Sequence, residues 1–139
     1  MAARQPAGWQ LELCTQVIIT VHPDLESFRG ATGLPWYVLA TADRAECSLD
    51  TQRLRIVAEH GGIERTLRHE LFHLAQPDHW PRWLSEGRAQ RFAGERPRHA
   101  PLEFVSPDEL DRLLAAAPDQ ATLLRALATA LSWVMEGRD

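Results

Sequence analysis

Apolar and polar positions follow two different rhythms along this chain. Up to about Gly62 the apolar runs are short and rich in β-branched residues. Residues 11–21 bring Val17, Ile18, Ile19 and Val21 close together, which predicts a strand buried on both faces near its end. His22-Pro23-Asp24 breaks it. Residues 24–29 read as a short helix, with Leu25 and Phe28 on one side and Gly30 and Gly33 after it. Pro35 precedes a second strand at 36–40, and 46–49 and 53–58 predict two more, joined by a turn at Asp50-Thr51-Gln52.

From Ile63 the rhythm becomes helical. Ile63, Leu67, Leu71 and Leu74 make one apolar stripe, spaced as a helix face requires. Pro77 closes that helix, Pro81 opens the next over 82–93, and Gly94 ends it. Ser106-Pro107-Asp108-Glu109 combines an N-cap residue, a proline at the first helical position and an acidic first turn. A last helix starts at Pro118-Asp119 and runs to about Met135. Leu113, Leu114, Leu123, Leu124 and Leu127 on these two helices read as core. The pattern predicts an α+β fold, a β-rich half followed by a helical half, as a single domain over 1–139 with a disordered tail at 1–8.

Within the first long helix lies His69-Glu70-Leu71-Phe72-His73. Residues four apart share a helix face, so His69 and His73 project together, opposite the apolar stripe. Two imidazoles held like that can take two positions of a tetrahedral zinc ion. Glu70 stands one step round the helix, close enough to accept a proton from a metal-bound water. A catalytic zinc has three protein ligands and one open position. Two residues downstream are candidates for the third ligand. Glu86 lies on the following helix, which an antiparallel turn would fold back beside the imidazoles. His79 stands where H-E-x-x-H-x-x-G-x-x-H has its last histidine, although Gln76 takes the place of the glycine that makes the sharp turn there.

The run T-L-R-H-E-L-F-H-L-A, then P-R-W-L-S-E-G-R-A-Q, resembles the gluzincin clan of zinc metallopeptidases. More narrowly it resembles the small peptidase-MA-like and minigluzincin domains, where H-E-x-x-H is followed by W-L-x-E-G-x-A. The resemblance spans about 17–94 and is most specific over 66–89. It implies Zn2+ bound by His69, His73 and Glu86, with Glu70 as general base and a peptide or protein as substrate. It also implies a small twisted, mixed sheet on the active-site helix (a zincin-like fold), with an edge strand lining the cleft, here expected at 53–58. Thermolysin-like members carry Asp four residues after the third ligand, where this chain has Gln90, which could still accept a hydrogen bond from an imidazole N–H. The Tyr or His that stabilises an oxyanion in larger relatives has Tyr37 and His99 as its candidates here. His22 and His60 read as surface or strand-end histidines.

Composition adds little to this picture. The chain has 139 residues, 45% apolar and 24% charged, with a net charge of −4. That charge argues against nucleic acid as a partner. All 15 cationic side chains are Arg, a bias of composition rather than a functional signal. Cys14 and Cys47 lack metal-ligand spacing and read as two buried thiols, with a disulfide between them as the open alternative. Residues 1–10 lack the pattern of a signal peptide and no run is apolar enough to span a membrane, so the chain is expected in the cytoplasm. The alternative to a peptidase is an inactive peptidase-like zinc module used for binding or regulation.

Overall fold

The structure, a computed structural model, describes residues 14–96 and 98–138. The expected tail and the first three residues of the expected first strand lie outside them. Two compact units divide the chain, Met1–Asp78 and His79–Asp139. The architecture is α+β, as the sequence pattern predicts. A small mixed sheet comes first and the C-terminal part is helical, with six helices among the described residues.

The first unit holds three strands, β1 (Ile18–Val21), β2 (Ala40–Asp43) and β3 (Ser48–Thr51), in the order β1-β3-β2. β1 runs parallel to β3 and β2 antiparallel to it. Helix α1 (Leu25–Thr32) connects β1 to β2 and is capped at one end by Asp24, whose carboxylate accepts from Ser27 N. At the other end Gly33 (φ 69°) takes the left-handed conformation a side chain would resist. α2 (Leu54–His60) and α3 (Ile63–Ala75) follow, and α3 packs on β2 and α2. Phe28, Leu49, Val57 and Leu74 form the buried apolar centre.

Several expectations for this unit are corrected. The 53–58 segment is α2, not a strand. Arg55 and Glu59 pair across one helical turn at 3.3 Å, and only Val57 turns fully inward. No hairpin is built on Asp50-Thr51-Gln52. The β2–β3 connection runs through residues 44–47 instead, with Cys47 at φ 49°. Strand β2 begins only at Ala40, because Pro35 opens a turn closed by Val38 N donating to Pro35 O. The buried Gln52 amide then takes the carbonyls of Trp36 and Val38, each at 2.8 Å. β1 is exposed along its whole length rather than buried on both faces, since it sits at a sheet edge. On α3 the stripe is graded, with Leu74 buried, Leu67 half-buried, and Ile63 and Leu71 exposed. Cys14 and Cys47 are joined in a disulfide, not two thiols.

The second unit is built from α4 (Arg82–Ala93), α5 (Pro107–Ala115) and α6 (Gln120–Met135). Its core is Trp83, Leu84, Leu110, Ala126, Ala130, Trp133 and Val134, with Leu113 and Leu114 packed against it. Trp83 and Trp133 meet edge to face at 5.2 Å. Gly87 lets α4 approach α6, because a Cβ there would lie 2.5 Å from both Ala130 O and a Val134 methyl. Asp119 caps α6 through Thr122 N, and hydrogen bonds from Thr122 hold its carboxyl below the usual range. The link before α5 is tied down within this unit. Leu102 N donates to Thr129 Oγ1, and Arg125 donates to Ala100 O and Pro101 O.

Candidate metal centre

Helix α3 supplies the first two donors. The imidazole rings of His69 and His73 lie one turn apart, centroids 4.9 Å from each other, both half-buried. Glu70, also half-buried, stands beside His69 on the same helix. The helix is sustained by ordinary means, including an exposed Glu64–Arg68 pair at 2.8 Å that leaves the histidine face to other work.

The end of α3 sets the state of His73. Gln76 follows the helix with φ −77° and ψ 157°, the extended conformation expected of a residue preceding a proline, here Pro77. Its side-chain oxygen lies 2.8 Å from His73 Nδ1. An amide oxygen only accepts, so Nδ1 carries a hydrogen, and in the neutral ring Nε2 then keeps the lone pair a metal needs. Sequence reasoning noticed Gln76 only as an unsuitable replacement for a turn glycine. Its spacing of three from His73 was the available signal. The extended backbone at Gln76 also means that the chain does not make the left-handed turn of the pattern that would use His79, and His79 is exposed.

Glu86 is half-buried on α4, between the buried Ser85 and Gly87. Gln90 stands one turn on along α4. Its amide donates to Leu127 O at 2.9 Å and to Glu86 O at 3.3 Å, which ties α4 to α6. As a donor set, His69, His73 and Glu86 could hold a metal ion. Two imidazole nitrogens and one carboxylate oxygen match the donors of a catalytic zinc site, and a set without thiolates leaves the ion a strong Lewis acid.

Tyr37 is half-buried, its ring edge-on to Trp36 at 5.5 Å. His99 is exposed. His60 is exposed, with Nδ1 3.0 Å from Ile56 O. His22 stands at the strand end as read, but it is buried, and it joins Asp50 through Nε2 (2.7 Å) and Ser27 through Nδ1 (2.9 Å). That Asp–His–Ser chain has the members of an acyl-transfer triad, but its ring nitrogens are exchanged and the serine has no oxyanion donor beside it. The Ser27 N–H is taken by Asp24 Oδ1, and the Phe28 N–H by Asp24 O. Its work is to fasten α1 to β3.

No protein-family model, curated protein or solved structure matches the chain.

Proposed function

We propose that the chain is a zinc-dependent peptidase of the gluzincin type, with His69, His73 and Glu86 as metal ligands and Glu70 as general base. The observation that carries this reading is the pairing on α3 of His69 and His73, one turn apart, with Glu70 between them and the His73 tautomer fixed by Gln76. A structural metal site has no use for a carboxylate at Glu70, whereas hydrolysis needs one. Bound at this donor set, zinc would supply Lewis acidity towards a peptide carbonyl and a nearby water. Glu70 takes the proton of the attacking water and passes it to the leaving amine. Strand β2 is an edge of the sheet and packs on α3, so it replaces 53–58 as the element suited to hold an extended peptide by backbone hydrogen bonds.

The experiment is zinc content together with a broad peptide-library digest. Glu70→Gln should keep zinc and lose hydrolysis, by a factor of about a hundred or more. Full activity in that variant would sink the assignment. Glu86→Ala should weaken zinc binding sharply while His79→Ala leaves it intact, and the reverse result would exchange the third ligand. A second reading, an inactive zinc module used for binding, is favoured by one observation. Gln90 spends its amide on packing where peptidases of this type keep an acidic support. Stoichiometric zinc with no cleavage of any peptide would establish it. The Cys14–Cys47 bond bears on location, because disulfides persist in oxidising compartments. It favours such a compartment over the cytoplasm, and the redox state of the pair in intact cells tests the choice.

A further inference from the structure

The helix that carries Glu86 begins without a cap of its own. Pro81 occupies the N-cap position of α4 and offers no side-chain acceptor to the first turn. The four leading N–H groups of a helix need partners from outside it. One comes from a distant element. Asp111, on α5, accepts from Trp83 N at 2.7 Å, across 28 positions of sequence. A carboxylate there also opposes the positive end of the helix dipole. Leu110, beside it, is fully buried in the core that α4, α5 and α6 share, so the backbone that carries Asp111 is held. Glu86 follows Trp83 by three residues, less than one helical turn along the same helix.

We propose that Asp111 is a positioning residue for the metal centre. By fixing the first turn of α4 it sets the height and rotation at which Glu86 presents its carboxylate. This rests on Glu86 being a zinc ligand, and it deepens that reading rather than replacing it. The far side of Glu86 is fixed independently, because Gln90 holds the Glu86 carbonyl and Gly87 lets α4 settle against α6. Asp111 is then the part of this arrangement that defines where the helix starts. Loss of the cap would let the first turn fray, and Glu86 would spend its time over a range of orientations.

The test is zinc affinity of the full chain, measured by competition with a chromogenic chelator at a temperature where each variant is folded by circular dichroism. Asp111→Ala should weaken zinc by about tenfold, the lower range for residues that orient a ligand. Asp111→Asn keeps an acceptor oxygen and should restore most of the affinity. Asp119→Ala is the matched control. It removes an equivalent cap bond from α6, 2.7 Å to Thr122 N, and should lower stability without changing zinc affinity. Wild-type zinc affinity in folded Asp111→Ala, or an equal loss in Asp119→Ala, would overturn the proposal. If wild type binds no zinc, or binds it equally well in His69→Ala, the metal reading itself fails. The two failures are therefore distinguishable.

Discussion

A histidine can ligate a metal only through a ring nitrogen that holds a lone pair, and the other nitrogen's hydrogen bond decides which one does. For His73 that bond is to Gln76 Oε1. Gln76 lies just beyond the helix and its backbone is already set by Pro77, so removing its side chain should leave α3 intact. Gln76→Ala is expected to weaken zinc about tenfold, with no loss of helical signal, as loss of a second partner to an imidazole usually does. Chelator competition checks it, and an unchanged affinity would remove Gln76 from the centre. The candidate pair His69 and His73 was legible in sequence because both histidines sit on one helix, where spacing alone places side chains. His22 was not legible in the same way. Its partner Asp50 is 28 positions away, and nothing local to either residue records the pairing.

At the scale of elements, helices with clear punctuation were readable and short strands were not. Pro81, Gly94, Ser106 and Asp119 all stand at helix ends. The 53–58 segment misleads because Leu54 and Ile56 alternate with Arg53 and Arg55 and are followed by the β-branched Val57, while seven residues are too few for the helical period to show. β1 misleads differently. Its β-branched residues correctly mark a strand, but composition cannot say whether a strand is central or at an edge. Gly87 is readable as part of W-L-S-E-G, but its reason appears only in the packing. A Cβ at this position would stand 2.5 Å from both Ala130 O and a Val134 methyl, so α4 and α6 would have to separate to admit one. Gly87→Ala gains about 1 kcal/mol of helix propensity. It should nevertheless lose about 1–3 kcal/mol to overpacking, against one neighbour that is backbone and cannot rotate away. The expected outcome is a lower thermal midpoint, and a midpoint above wild type would show that the two helices part at little cost.

For the whole molecule, the disulfide is the feature that sequence left open and that most alters expectation. Its cysteines stand 33 positions apart, and the loop it closes contains β1, α1, β2 and the turn into β3, which is most of the sheet. Cross-linking a loop of that length removes chain entropy from the unfolded state, worth about 4 kcal/mol on the simplest loop-closure argument. The sheet needs such help more than the helices do. Its strands have four residues each, and β1 is exposed along its length. The core of the second unit lies wholly in α4, α5 and α6, and neither cysteine belongs to that unit. Reduction should therefore loosen the first unit selectively. Under reducing agent, amides of β1 and β3 should exchange hydrogen faster, while those of α6 around Ala130 keep their protection. The double variant Cys14→Ser with Cys47→Ser should reproduce the effect without any reductant. Equal acceleration in α6 would mean that the bond stabilises the chain as one cooperative block, and unchanged exchange in β1 would mean that the sheet holds without it. Because His69 and His73 ride on α3, which packs on β2, loosening the sheet should also weaken zinc binding in the reduced protein.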